Sequence, residues 1–117
     1  MICVSVSGGR HHQRQAVSVA TAWFARFAMH NAERVVIEIR IQRLADSWGW
    51  VSEGESVPSV YFVALERRQS LRSMLATLLH ELTHVQQYES GRWIGDGESE
   101  AISAEVLADA VWLAGLV

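Results

Sequence analysis

His80 and His84 stand four residues apart in the run His80-Glu81-Leu82-Thr83-His84. On a helix that spacing puts two imidazoles on one face, about one turn apart, so their ring nitrogens can converge on a single metal ion. Glu81 lies between them, where its carboxylate can take a proton from a water held by such an ion. The surrounding pattern is helical. Thr77, His80, Glu81, His84 and Tyr88 cluster on one side at roughly 100° per residue, while Leu71, Leu75, Leu78, Leu82 and Val85 fall on the other. The motif is therefore expected on the open face of a helix whose back is buried. Two surface histidines on an ordinary amphipathic helix would look the same, so the distinction rests on a third ligand.

The run Asp96-Gly97-Glu98-Ser99-Glu100-Ala101-Ile102-Ser103-Ala104-Glu105 supplies candidates. Asp96 and Gly97 are helix-start residues, and acids crowd the following turn, where the helix dipole favours them. Ile102, Val106, Val111 and Leu113 then continue a second helix. A structural zinc site takes four protein ligands, whereas a catalytic one takes three and leaves a position for water. Two histidines and one glutamate form one of the catalytic sets.

Glu100-Ala101-Ile102-Ser103 resembles the E-A-I-S stretch of thermolysin-type zinc metallopeptidases, the gluzincins. In that group a helix bearing H-E-x-x-H is followed by a second helix whose glutamate is the third zinc ligand. The resemblance covers roughly residues 70–110 and rests on two short motifs. It implies that His80, His84 and Glu100 hold one zinc per chain and that Glu81 is the general base of peptide-bond hydrolysis. Its substrate would be a peptide or protein. The interval from His84 to Glu100 is somewhat shorter than in thermolysin. Ala104 stands where those enzymes carry an aspartate oriented toward a zinc-bound histidine; Glu105, Asp109 or a backbone oxygen are candidate substitutes. On a regular helix Glu105 is rotated by roughly 140° from Glu100, so both carboxylates cannot face one metal. Glu98 and Glu105 remain alternatives for the ligand whose commoner role is a solvated helix charge.

The 117 residues allow one domain with one core, 1–117, and exclude a two-lobed protease. Half the residues are apolar and a single proline is present, which indicates a globular chain. A net charge of −3 without a basic tract argues against nucleic acid as a partner. The lone Cys3 excludes an internal disulfide framework and fits a reducing compartment; it is read as plain core in a strand. Neither a signal peptide nor a membrane-spanning stretch is visible, so a cytoplasmic location is expected.

The elements that must position the motif read as α+β. Ile2, Val4 and Val6 alternate with polar residues in a first strand, which Gly8-Gly9 ends as a turn and not a phosphate cradle. Residues 11–30 form a helix with Ala16, Ala20, Trp23, Phe24 and Phe27 on one stripe. Val35, Ile37, Ile39 and Ile41 alternate in the clearest strand. A polar loop with Trp48 and Trp50 around Gly49 follows. Val60–Leu65 then form a third strand, expected to run antiparallel to the preceding one. The order β-α-β-β-α-α places a small three-stranded sheet, antiparallel or mixed, on helices.

This order is also similar to small zincins such as the minigluzincins and the SprT-like group. The latter takes its third ligand from another histidine, and none follows His84 here. In such folds the strand before the metal helix rims the cleft, where an extended peptide can add by main-chain hydrogen bonds. Ser59–Leu65 would then hold substrate, or else form an ordinary core strand. His11, His12 and His30 are not expected to be ligands. Tyr88, one turn beyond His84, either packs at the helix end or touches substrate, and Trp93 either walls the cleft or makes a satellite core contact. The reading from another functional class is a zincin-like domain that is weak or latent as a catalyst and serves as a regulatory or interaction protein.

Overall fold

Alternate branched residues produce the best-defined strand, β2 (Val35–Gln42), with Val35, Ile37, Ile39 and Ile41 buried and Glu38, Arg40 and Gln42 turned to the opposite face. The computed structural model describes residues 1–29, 32–54, 59–113 and 115. Its elements run β1 (Ile2–Gly8), α1 (His11–Ala28), β2, β3 (Gly49–Glu53), β4 (Val60–Glu66), α2 (Leu71–Ser90), α3 (Glu98–Ala104) and α4 (Leu107–Leu113). The class is α+β.

The sheet has four strands in the order β1-β2-β4-β3, not three. β4 runs parallel to β2, with Ile37 opposite Tyr61 and Ile39 opposite Val63, where an antiparallel pair was expected. The reason is the segment read as a loop. Gly49–Glu53 is strand β3, antiparallel to β4 with Trp50 opposite Ala64 and Ser52 opposite Phe62. Chain reversal is thus accomplished by β3, and β4 returns in the direction of β2 between the two.

One face of the sheet carries the core. Ile37, Ile39, Tyr61, Val63 and Leu65 meet Val17, Ala20 and Phe24 of α1 and Met74, Leu75, Leu78, Leu82 and Val85 of α2. Full burial of such side chains stabilises by about 1.5–3 kcal/mol each. Two expected core residues are elsewhere. Phe27 is exposed, stacked on Trp23 with ring centroids 5.5 Å apart, while Phe24, Ala28 and Met29 take the core-facing side of the end of α1. Cys3 is exposed, since its register partner Val36 belongs to the uncovered face.

Helix α2 has the ends its sequence calls for. The Ser70 hydroxyl accepts from the Ser73 amide at 3.1 Å, and Gly91 closes the other end at φ 68°. No described helix is long and apolar enough to cross a membrane.

Candidate metal centre

The buried stripe of α2 fixes the direction of its motif. Leu75, Leu78, Leu82 and Val85 lie in the core, so His80 and His84 emerge beside it with side chains only 18% and 11% exposed. Their rings meet edge to face, with centroids 5.1 Å apart. Both Nε2 atoms point at one carboxylate, that of Glu98. His80 Nε2 lies 3.3 Å from Glu98 Oε2, and His84 Nε2 lies 2.7 Å from Glu98 Oε1. Ligand atoms of these three residues all fall within 4.8 Å of one another.

The opposite nitrogens are held as well. His80 Nδ1 lies 3.1 Å from Glu105 Oε2, and His84 Nδ1 lies 2.9 Å from Gln87 Oε1. Both oxygens are acceptors, which favours the tautomer with its N–H at Nδ1. Each ring therefore has an acceptor oxygen at both nitrogens, yet a neutral imidazole has only one N–H. Two Nε2 lone pairs directed at a carboxylate call for protonated rings or for a cation among the three groups. A metal ion suits the donor set, because edges of about 3.3 Å join the ligands of a tetrahedral zinc with bonds of about 2.0–2.1 Å. The residues fit a bound metal, and the set alone does not specify zinc.

The third carboxylate differs from the expected one. The structure brings Glu98, not Glu100, to the histidines. Glu98, Ala101 and Glu105 follow an i, i+3, i+7 spacing and share a stripe, and the fully buried Ala101 lets α3 approach α2 closely along it. Glu100 is two residues from Glu98, roughly 200° around the helix. Its Oε1 instead accepts from Gln87 Nε2 at 2.9 Å. Of the residues expected to carry the second helix, Val111 is buried, whereas Ile102 and Val106 are exposed. The regular helix is also interrupted after Ala104, with a turn before α4.

Gln87 joins the two helices. Besides accepting from His84 and donating to Glu100, its Nε2 donates to Gly97 O at 2.9 Å. Gly97 starts α3 at φ 79°, and an added Cβ there would strike the Gln87 amide. Asp96 Oδ1 accepts from the Glu98 amide at 3.0 Å, as expected of a helix-start residue.

Glu81 is 8% exposed and lines the same cleft as His84 and Glu98. Burial raises its pKa, against the lowering influence of His80 and His84; Glu98 and Glu105 add to the rise. The cleft measures about 470 Å³, and Trp50, Val51, Tyr88 and Trp93 wall it. Tyr88 stacks parallel to Tyr61 at 6.3 Å and meets Trp93 edge-on at 6.4 Å, so both exposed rings are cleft walls.

The strand bordering the cleft is β3. Ser59–Leu65, expected as the substrate-holding strand, lies in and just before β4, which is paired on both sides and has no free edge. Gly49 allows β3 to approach α2, since a Cβ would come within 2.6 Å of Thr77 Cγ2 and 3.0 Å of Ala64 O. His11 and His12 are exposed at the start of α1, away from this cluster, and His30 lies outside the described residues.

Glu105 stands at His80 Nδ1 as one of the substitutes the sequence offered for the missing aspartate, and Glu98 was a lesser alternative for the ligand; Gln87 alone was not singled out, although spacing carried a signal. Gln87 is three residues from His84, and Glu98 and Glu105 are seven apart around a small residue. No known protein-family model, curated protein or solved structure matches the chain.

Proposed function

We propose that this chain is a zinc-dependent peptide hydrolase of the zincin type, with His80, His84 and Glu98 holding the metal and Glu81 acting as general base. The observation that carries this reading is the convergence of both Nε2 atoms on the Glu98 carboxylate while Glu105 and Gln87 occupy both Nδ1 atoms. This arrangement supports a three-ligand site, the kind that in catalytic zinc centres leaves a position for water.

When bound, zinc supplies Lewis acidity that polarises a carbonyl and lowers the pKa of a water toward neutrality. Glu81 takes the proton from the attacking water and passes it to the leaving amine. Its carboxylate lines the same cleft as His84 and Glu98, where such a transfer would take place. Glu105 and Gln87 hold the imidazoles in the tautomer that presents Nε2. The outer edge of β3 lies along the cleft and offers unpaired main-chain groups to an extended peptide, while Trp50, Tyr88 and Trp93 exclude water around it.

The test is cleavage of a peptide library and of unfolded proteins, read by mass spectrometry, for the zinc-loaded parent and for Glu81→Gln. The parent should cut, and the variant should keep zinc and fold while losing cleavage. A zinc-loaded parent that cuts nothing favours a zincin-like binding domain over an enzyme.

A further inference from the structure

The chain has a net charge of −3, and all ten of its Lys and Arg positions are arginine. These arginines are dispersed in sequence, but the parallel sheet gathers three of them. β1 ends at Gly8 and β4 at Glu66, and both run parallel to β2, so their exits share one end of the sheet. Arg10 follows the first exit and Arg67 and Arg68 follow the second. Together with His12 they line a cleft of about 600 Å³, within the size range of small-molecule sites. No acidic side chain lines it.

The frame of this cleft is built from buried amides and one buried carboxylate. Gln13, 7% exposed, accepts from the Arg10 amide at 2.8 Å and donates to Arg67 O at 3.0 Å, which ties the two exits together across the end of β2. Gln69 donates to Glu66 O at 2.9 Å and to Trp48 O at 3.2 Å. Arg68 is held by the buried Glu66 through Nη2 to Oε1 at 2.8 Å, so its charge is compensated. Arg10 and Arg67 have no ion-pair partner among the described residues. Two arginines without an ion-pair partner among the described residues and a histidine lining one cleft suit an anion with several oxygens and more than one charge.

We propose that this cleft binds the phosphate or pyrophosphate group of a small ligand, with Arg10 and Arg67 as the principal contacts. The site is separate from the metal centre and does not depend on the hydrolase reading. It lies at the start of α2, nine residues and about 14 Å along the helix from His80.

The test is calorimetric titration of the full chain with inorganic pyrophosphate, against sulfate at matched ionic strength. Backbone amide shifts locate the site. Pyrophosphate should bind at one saturable site, more tightly than sulfate, and shift the Gly9, Gln13 and Gln69 signals. Arg10→Gln combined with Arg67→Gln should weaken binding by at least about tenfold, with the melting temperature reporting that the fold is kept. Binding that survives in this double variant, or that is lost in His80→Ala instead, overturns the proposal. So does binding of a short single-stranded oligonucleotide with none of pyrophosphate, which would reassign the arginines to a nucleic-acid surface.

Discussion

Glu105 Oε2 lies 3.1 Å from His80 Nδ1, reaching across from the end of α3 to the histidine-bearing side of α2. With Glu105 at Nδ1, the other ring nitrogen of His80 faces Glu98. Removing the Glu105 carboxylate should loosen His80 without deleting a ligand. Glu105→Ala is expected to weaken zinc binding by about tenfold to a hundredfold, the usual effect of losing a partner behind a histidine ligand. Glu105→Gln keeps an acceptor oxygen and should recover most of that loss in a competition titration with a zinc chelator.

Glu98 and Glu100 should separate cleanly in the same titration. Glu98→Ala deletes the carboxylate facing both histidines and is expected to weaken zinc by more than about a hundredfold, beyond what an outer partner contributes. Glu100→Ala removes only an acceptor for Gln87, which keeps its bond to Gly97, and should change affinity by less than about tenfold. Affinities in the reverse order would return the ligand role to Glu100 and restore the match to the thermolysin-type stretch.

Why the sequence pointed to Glu100 has a physical answer. The strong amphipathic stripe of α2 defines its buried face, and the alternation in β2 does the same, so both were legible together with the convergence of His80 and His84. The short helix α3 contains mostly small and acidic residues, and its phase is set by Ala101 packing on α2. No stripe in the sequence announces that choice, because the larger Ile102 and Val106 stay exposed. Strand β3 was hidden for a related reason. It is a five-residue edge strand, and Trp50, Ser52 and Glu53 are exposed, so its composition resembles a loop. Without β3 the parallel pairing of β4 had no visible cause.

Gly49 should be intolerant of even one methyl group. The added Cβ meets Thr77 Cγ2 and the Ala64 carbonyl, so β3 must withdraw from α2. Gly49→Ala is expected to cost about 1–3 kcal/mol in denaturant unfolding. Adding Thr77→Ser removes the nearest clashing atom and should restore part of the loss, whereas a simple propensity effect would be indifferent to Thr77.

Acid stability should depend on Glu66. Hydrogen bonds from Arg68 and from the Leu44 amide hold its carboxyl down to about 2, against an ordinary value of 4.5. Between those limits the unfolded chain binds the proton more readily than the native state, so stability falls as pH falls. The contribution is fully present above about 5 and disappears toward pH 2. Urea unfolding of the parent and Glu66→Gln should therefore show a difference that is constant near neutrality and narrows from pH 5 downward. A pH-independent difference would mean that the native bonds do not favour the ionised form.

If His80, His84 and Glu98 form one metal site, the zinc content of the reconstituted, desalted protein will report it. Elemental analysis should find about one zinc per chain in the parent. The variant carrying both His80→Ala and His84→Ala should retain essentially none, because a lone carboxylate is a poor zinc site. A parent that retains no zinc, or a double variant that retains as much as the parent, would mean that these residues do not form a metal site.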